Sequence, residues 1–330
     1  MILLSIVITV VKVILLIGIL MTGFAYTMLL ERRLLGFFQL RLGPNRVGPM
    51  GFLQPLADAI KMMTKEDLLP SAADPLVFRL APVVALFAAL AVDAVIPFGA
   101  PIHLFGLTIS LDIANPGIGL LYVFAFSSLG VYGLVLAGWS SQNKYSLLGG
   151  VRSSAQLISY ELAMGLSVLG ILITVGSANL ETIVQFQAHH WWFVFTQVIP
   201  FFVFFTTAIA ETNRIPFDLP EAESELVAGY HTEYSGIRFA MFYMAEYINM
   251  ITASGMAVTL FFGGWSGWSF LPPIVWFLLK VGAFIFVFIW IRATLPRFRY
   301  DRLMNFGWKV LVPLAFVYVL ATAALASGAI

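Results

Sequence analysis

Long apolar stretches alternate with short polar segments along the whole 330-residue chain. Eight of these stretches reach about twenty residues, the length that a helix needs to cross roughly 30 Å of hydrocarbon. The eight stretches are residues 3–30, 77–98, 117–139, 154–176, 192–211, 238–262, 273–292 and 308–327. The pattern predicts an all-α integral membrane protein with about eight transmembrane helices. Because no intervening segment is large enough for a soluble domain, we expect a single membrane domain over residues 1–330.

Basic residues are concentrated after the first, third, fifth and seventh predicted helices. Sixteen of the eighteen Lys and Arg residues are found there, whereas the other three loops hold none. Because cytoplasmic loops carry the excess of positive charge, this alternation predicts four cytoplasmic loops and places both termini on the opposite side. The four loops are about 31–76, 140–153, 212–237 and 293–307. The first thirty residues lack the features of a cleaved signal peptide, so we expect a retained anchor. The expected location is a bacterial inner membrane, and an organelle-encoded chain is the alternative that would also lack a presequence.

The first predicted cytoplasmic loop contains an amphipathic segment. One helical face carries apolar residues, namely Phe52, Leu53, Leu56, Ala57, Ile60 and Met63. The opposite face carries Asp58, Lys61 and Lys65. This spacing predicts an amphipathic helix at the membrane interface. A short helix docked on a partner protein is an alternative that is compatible with the first.

Composition narrows the chemistry that this chain can perform. Hydrophobic residues make up 60% of the chain and charged residues only 11%, which is typical of a membrane protein. The absence of cysteine excludes disulfides, thiolate catalysis and cysteine-ligated iron–sulfur or zinc sites within the chain. The four histidines do not show metal-ligand spacing, and the net charge of +1 does not indicate a nucleic-acid partner. Any electron carriers are therefore expected on other subunits.

Several charged residues fall inside the predicted spans, among them Lys12, Glu161, Glu246 and Lys280. A charge at the bilayer centre costs roughly 2.5–3.5 kcal/mol, so each needs a partner, water or a shifted pKa. Helices four and six enter from the same side, and we expect Glu161 and Glu246 in one layer, with Glu211 completing a line of acids. Burial and mutual repulsion favour proton exchange by such acids, which predicts a proton relay. The alternative is that the acids are structural, as we expect for the two lysines.

The third predicted cytoplasmic loop is rich in carboxylates. Its acids are Glu211, Asp218, Glu221, Glu223, Glu225 and Glu233, and Arg214 is its only Lys or Arg. Apolar residues are interleaved with them, including Phe217 and Tyr230. This mixture indicates a segment that packs against other groups, as in an acid-lined cavity or a subunit junction, rather than a free loop.

Strings in the cytoplasmic loops resemble those of a known family. The first loop contains Glu31-Arg-Arg-Leu-Leu-Gly and Gln54-Pro-Leu-Ala-Asp-Ala-Ile-Lys61. The third loop contains Pro216-Phe-Asp-Leu-Pro-Glu-Ala-Glu and Gly229-Tyr-His-Thr-Glu-Tyr-Ser-Gly236. The fourth loop contains Arg292-Ala-Thr-Leu-Pro-Arg-Phe-Arg. Over essentially its whole length the chain is similar to the family of H-type membrane subunits of the NADH–quinone oxidoreductases, which includes the mitochondrial ND-one subunit. These enzymes are respiratory complex I.

The resemblance implies a subunit between the membrane and peripheral arms of that complex. It implies a quinone chamber framed by helices one and six and the amphipathic helix, and an antiporter-like arrangement of helices two to six. By position, the residues lining or bordering the chamber are Glu31, Arg32, Asp58, Lys61, Glu221, Glu223, Glu225 and Arg292. Asp218 belongs to the same coupling loop. Glu161, Glu211 and Glu246 match the acids of the family's proton path, and Ser127 and Ser128 stand near a position where some relatives have a carboxylate.

The same resemblance implies that quinone is the substrate and that NADH, FMN and the iron–sulfur clusters are held by partner subunits. The expected partners are the other membrane and peripheral subunits, quinone and lipid. Two alternatives remain at this point. One is the homologous subunit of a membrane-bound hydrogenase or ferredoxin-dependent complex, and the other is a stand-alone proton-coupled transporter.

Overall fold

The computed structural model describes residues 2–104, 107–219, 226–268 and 270–327. Within these ranges the chain is almost entirely helical, which confirms the all-α membrane fold. The helices are α1 Ile2–Phe38, α2 Gln54–Thr64, α3 Pro75–Val92, α4 Gly119–Ser140, α5 Lys144–Val175, α6 Leu180–His189, α7 Phe193–Thr196, α8 Val198–Glu211, α9 Gly236–Phe261, α10 Pro273–Thr294, α11 Tyr300–Phe306 and α12 Val312–Ala326. A π-helical segment, Gly307–Leu311, joins α11 to α12.

Six helical segments of the described chain are long and apolar enough to cross a membrane. They are Ile6–Phe38, Pro75–Val95, Gly119–Ser140, Lys144–Val175, Pro273–Thr294 and Tyr300–Ala326. Two further predicted spans also form helices. The 14-residue α8 is apolar but shorter, and the 26-residue α9 carries Arg238 and Glu246. The chain is therefore a multi-pass membrane protein.

Several helices extend beyond the predicted spans. Helix α1 continues to Phe38, so Glu31 and Arg32 stand on a helix and not in a loop. Helix α5 starts at Lys144, which places Glu161 about five turns from its start instead of two. The predicted span 192–211 is divided into α7 and α8 at Gln197, whose φ of −125° and ψ of 55° are not helical.

Local signals explain where two of these helices begin. The carboxylate of Asp74 accepts hydrogen bonds from the backbone N–H groups of Leu76 and Val77, at 3.0 and 3.3 Å, and Pro75 follows it at the start of α3. The amide oxygen of Asn143 accepts a hydrogen bond from the N–H of Tyr145 at the start of α5. Such caps satisfy donors that a helix leaves unpaired at its N-terminus.

Small residues allow α3 and α4 to approach closely. A Cβ atom on Gly133 of α4 would lie 2.7 Å from the Cβ of Ala85 and 2.8 Å from its backbone nitrogen. Ala81, Ala88 and Ala89 continue the buried face of α3. Close backbone packing of this kind is typical of membrane helices, where dispersion contacts replace the hydrophobic effect.

A short hairpin follows α3 that the hydrophobic pattern did not predict. Strands β1 Ile102–Leu104 and β2 Leu107–Ile109 pair antiparallel, with Ile102 opposite Ile109 and Leu104 opposite Leu107. Nearby, the Nζ of Lys12 donates hydrogen bonds to the Oγ of Ser110 and the backbone oxygen of Asp112, at 3.1 and 3.0 Å. Lys12 therefore ties α1 to the segment after the hairpin, a structural role.

Lys280 on α10 has a similar role at the segment after α9. Its Nζ donates to the backbone oxygens of Phe262, Gly264 and Ser266, at 2.7, 3.0 and 2.6 Å. The ammonium also lies 4.4 Å from the ring centroid of Trp192, a cation–π contact. The structural interpretation of both lysines is thus supported by contacts inside the chain.

Candidate functional site

Four charged side chains from distant parts of the chain form a buried cluster, here called the ion cluster, of Glu31, Arg214, Glu246 and Arg292. The Nη1 of Arg214 donates a hydrogen bond to the Oε2 of Glu31 at 2.7 Å, and its Nε lies 2.7 Å from the Oε1 of Glu246. The Nη1 of Arg292 donates to the other oxygen of Glu31. Glu31 and Arg214 are only 3% and 4% exposed. Arg214 therefore bridges two carboxylates in the interior.

The turn after α8 positions the guanidinium of Arg214. Gln156 of α5 donates from its Nε2 to the backbone oxygens of Ala210 and Phe217, at 2.7 and 2.9 Å, and so holds both sides of the turn. The guanidinium carbon of Arg214 lies 4.1 Å from the ring centroid of Tyr247. Burial lowers the pKa of Arg214, but Glu246 and Glu31 more than offset this and raise it, so the side chain stays a cation.

Asp58 of α2 forms a second ionic site next to the ion cluster. Its carboxylate lies 2.6 Å from Arg32 and 2.5 Å from Lys61, and it accepts a hydrogen bond from the Nε2 of Gln54 at 3.0 Å. Burial raises the pKa of Asp58, yet the hydrogen bonds from Lys61, Arg32 and Gln54 outweigh it and hold the pKa below its usual value. Because Arg32 follows Glu31 on α1, the two sites are adjacent.

The apolar face predicted for α2 is present and uncovered within this chain. Phe52 and Leu53, just before the helix, and Leu56, Ile60 and Met63 on it are all exposed. Asp58 on the other face is buried. This arrangement fits an amphipathic helix with its apolar side toward lipid or a partner.

A mostly apolar groove opens between α1, α2 and α10. It has a volume of ≈ 380 Å³. It is lined by Gly23, Tyr26, Thr27, Leu29, Leu30, Arg33, Phe52, Gly282 and Ile285. Arg33, which follows Arg32 in the sequence, contributes a charged side chain to this otherwise mostly apolar lining.

The three acids of the predicted relay line one cavity. Glu161 of α5, Glu211 of α8 and Glu246 of α9 all border a cavity of ≈ 60 Å³, several times the roughly 10–15 Å³ that one water molecule needs. The Oγ of Ser128 donates a hydrogen bond to the Oε1 of Glu161. Ser128 thus contacts an acid of the predicted relay directly.

A second cavity of ≈ 40 Å³ adjoins the first. Ser127, Glu211, Thr212 and Asn249 border both cavities. The second cavity continues along α9 to Met256. The two cavities therefore form one column inside the bundle, in which polar side chains are interspersed with a largely apolar lining in the second cavity. Periodicity alone had not indicated this column.

The acidic third loop is only partly described. Asp218 lies 2.9 Å from Arg297, and burial, which Arg297 only partly offsets, raises the pKa of Asp218 to about 6. The Nδ2 of Asn143 donates to the Oε1 of Glu233 at 2.6 Å. Glu221, Glu223 and Glu225 lie outside the described residues.

His231 of this loop is buried among aromatic rings. It is 5% exposed, and the rings of Tyr230, Phe239 and Tyr243 surround it at centroid distances of 4.8, 5.2 and 6.1 Å. Burial lowers the pKa of His231 to about 4. The imidazole is therefore neutral at physiological pH.

Acidification is expected to loosen the loop through His231. His231 binds a proton below about pH 6.5 in the unfolded loop but only below about pH 4 in the folded loop. Its contribution to the free energy of unfolding is therefore complete above pH 6.5 and falls by about 2 kcal/mol at pH 5. Hydrogen exchange of peptides from residues 226–243 in the purified complex at pH 7 and 5 measures this change. In the His231→Gln variant this loss of stability at pH 5 should disappear. The raised pKa of Asp218 acts in the opposite direction and should leave the loop of the variant at least as stable at pH 5 as at pH 7. The same loss of stability on acidification in both proteins would contradict the role of His231.

Two buried acids, Asp93 and Asp112, were not singled out from the sequence. Asp93 stands at the end of α3, within the predicted span 77–98, and is 1% exposed. The position of Asp93 within an apolar stretch of the sequence was the feature that could have identified it. Among the described residues, no group of three or more His, Asp or Glu side chains is arranged to hold a metal ion.

Comparison with known proteins agrees with the resemblance in the loop strings. The family model described as NADH dehydrogenase matches residues 11–323. The chain is 56% identical over 322 residues to the H subunit of NADH-quinone oxidoreductase from Deinococcus deserti, covering 95% of this chain and 82% of that protein. It is 53% identical over 302 residues to the H subunit from Protochlamydia amoebophila, covering 92% of each. The H subunit from Syntrophotalea carbinolica is 52% identical over 330 residues, covering 98% of this chain and 97% of that protein.

Proposed function

The chain belongs to the NADH dehydrogenase family, as a membrane subunit of the NADH–quinone oxidoreductase called respiratory complex I, and from this we propose that it holds the quinone and links quinone reduction to proton translocation. The alternative assignments to a hydrogenase complex or a solitary transporter are set aside, because the relatives named above are all subunits of the quinone enzyme.

The groove and the two ionic sites support a quinone chamber. The apolar lining of the groove suits an isoprenoid tail, because it removes that tail from water. The polar headgroup would then lie toward Glu31, Arg32, Asp58, Lys61 and Arg292. The chamber would be completed by the acids of the third loop, including Glu221, Glu223 and Glu225.

The single observation that carries the coupling proposal is the position of Arg214. One nitrogen of its guanidinium contacts Glu31 and another contacts Glu246, so the same cation balances an acid of the chamber and an acid of the cavity. Reduction of a quinone by two electrons takes up two protons and changes the charge in the chamber. A shift of Arg214 toward Glu31 would weaken its attraction for Glu246, which would then bind a proton from the cavity water.

This arrangement changes one part of the expected relay. From the sequence, Glu246 is expected to be close to neutral in its resting state. Its ion pair with Arg214 favours the ionised carboxylate, so proton uptake at Glu246 requires that the pair loosen. Glu161 and Glu211 would pass the proton onward through the shared cavity.

The remaining expectations complete the proposal. The chain would act as one membrane domain in a bacterial inner membrane, with its basic loops in the cytoplasm and both termini on the opposite side. NADH, FMN and the iron–sulfur clusters would be held by partner subunits, and Lys and Arg residues of the loops would face those subunits.

Glu161→Gln and Glu246→Gln test the relay in the assembled complex. Each amide keeps the size of the acid and one accepting oxygen but cannot exchange a proton, so coupled quinone reduction should fall by roughly 10²-fold. Measured in membrane vesicles, NADH oxidation by a soluble acceptor should stay normal and report intact assembly. Glu181→Gln, an acid on α6 away from the cavities, is the matched control. Normal ratios of protons to electrons in both variants would refute the relay.

A further inference from the structure

Asp93 is a buried acid that the proposed relay does not use. It stands eighteen residues after Pro75, about 27 Å along α3, toward the end of that helix opposite the ion cluster. Helix capping does not explain the presence of Asp93, because the helix dipole makes a negative charge unfavourable at a helix C-terminus. An acid with this burial in a span needs a partner that satisfies it.

Thr252 of α9 is that partner, and it can satisfy Asp93 in two states. Its hydroxyl lies 2.8 Å from the Oδ2 of Asp93 and 2.9 Å from the backbone oxygen of Ile248. A hydroxyl has one hydrogen, so it can donate to only one of these acceptors at a time. When Asp93 is ionised, Thr252 donates to it. When Asp93 is protonated, its O–H donates to Thr252, whose hydroxyl then donates to Ile248.

Thr252 also borders the second cavity. That cavity is shared with Glu211 and Asn249, and through them it continues to the first cavity with Glu161 and Glu246. From Glu246 to Met256 the column follows α9 for about 15 Å. A proton in the column can therefore reach Asp93 through the hydroxyl of Thr252.

The groups around Asp93 do not balance its charge. The hydroxyl of Tyr122 on α4 donates to the backbone oxygen of Ala91 at 3.2 Å, and the described hydrogen bonds of Lys12 go to Ser110 and the backbone of Asp112. None of the ion pairs within the described ranges includes Asp93. The acids that border the column are Glu161 on α5, Glu211 on α8 and Glu246 on α9.

We propose that Asp93 and Thr252 form a proton-binding site at the far end of the column formed by the two cavities, loaded and unloaded through the second cavity during turnover. In the loading step a cavity water that carries an extra proton from the relay gives that proton to Thr252 and is left neutral, while the hydroxyl proton of Thr252 passes to the Oδ2 of Asp93. Thr252 is regenerated and one proton has moved. The site rests on the proposed relay, because the relay supplies the proton.

Asp93→Asn and Thr252→Val in the assembled complex test the site, with Asp112→Asn as a control at a buried acid that lines neither cavity. The first readout is the reduced-minus-oxidised infrared difference spectrum, in which a carboxyl C=O band should be absent from Asp93→Asn and displaced in Thr252→Val. The second is the ratio of protons to electrons in vesicles. If the site carries part of the flux, this ratio should fall roughly twofold in Asp93→Asn. Both readouts should be normal in Asp112→Asn.

Unchanged infrared spectra and unchanged ratios of protons to electrons in Asp93→Asn and Thr252→Val would overturn the site. This holds even if Glu161→Gln and Glu246→Gln abolish pumping and so uphold the relay. Loss of the carboxyl band in Asp93→Asn but not in Asp112→Asn supports the site. If Glu161→Gln and Glu246→Gln nevertheless pump normally, only the relay is contradicted. Should Asp93→Asn fail to assemble, the Thr252→Val band decides, since that variant keeps the acid and removes only the hydroxyl.

Discussion

The Arg214→Met variant is expected to lose about 3–5 kcal/mol of stability and nearly all coupled quinone reduction, because methionine leaves the buried Glu31 and the partly buried Glu246 without the cation between them. The methionine chain replaces most of the apolar volume of arginine, so the loss is mainly electrostatic. Thermal denaturation of the purified complex and the amount of assembled complex in the membrane measure the first effect. NADH–quinone turnover in vesicles measures the second.

A second substitution separates charge from packing at the ion cluster. In Arg214→Met combined with Glu246→Gln, one carboxylate charge is removed together with the cation, and part of the lost stability should return. Glu31 keeps its contact with Arg292 in this double variant. Arg299→Met is the control, because Arg299 is 80% exposed and its pair with Asp301 at 3.8 Å is expected to contribute little. Equal losses in the single and double variants would show that the cluster acts through shape and not charge.

Gly149→Ala is expected to displace the third loop from α5. A Cβ atom at Gly149 would lie 2.6 Å from the backbone nitrogen of Tyr230 and 2.8 Å from the carbonyl carbon of Gly229. These are backbone atoms that cannot rotate away, so the loop must move, at a cost of about 1–3 kcal/mol. Because the same loop continues to His231 and Tyr234, hydrogen exchange in residues 226–235 should accelerate and coupled quinone reduction should fall.

Gly165→Ala on the same helix is the matched control. A Cβ atom at Gly165 meets no heavy atom within 4 Å, and alanine favours the helix by about 0.8–1.0 kcal/mol relative to glycine. This variant should be as stable as the parent or slightly more stable, with normal exchange in the loop. If Gly149→Ala and Gly165→Ala show the same stability and the same hydrogen exchange in the loop, the contact between α5 and the third loop does not fix the position of that loop.

The amphipathic segment and the third loop illustrate how far the sequence can be read. The exposed apolar side chains of α2 and the buried Asp58 follow directly from their spacing along one helix. The packing of the third loop against its surroundings was anticipated from its interleaved Phe217 and Tyr230, both of which are buried. By contrast, the extension of α1 past Glu31 was missed, because polar residues near a membrane surface do not by themselves end a helix.

Asp93 and Lys280 show what a reading of the sequence alone leaves out. Asp93 was passed over in an apolar span because hydropathy averages a single acid into its neighbours. Lys280 was assigned a structural role, but the three backbone oxygens that hold it belong to a segment whose folding the sequence does not reveal.

By itself, the sequence determined that the chain crosses the membrane several times, which segments carry the acids, and the family to which the chain is similar. These are properties of residue type and spacing, since the free energy of transferring a segment into lipid is nearly a sum over its own residues. Only the tertiary structure decided that Arg214 joins Glu31, 183 positions away, to Glu246, and that Thr252 reaches Asp93 beside a shared cavity. Ion pairs and hydrogen bonds depend on distances of a few ångströms between side chains on different helices, and the rotation of packed helices sets those distances.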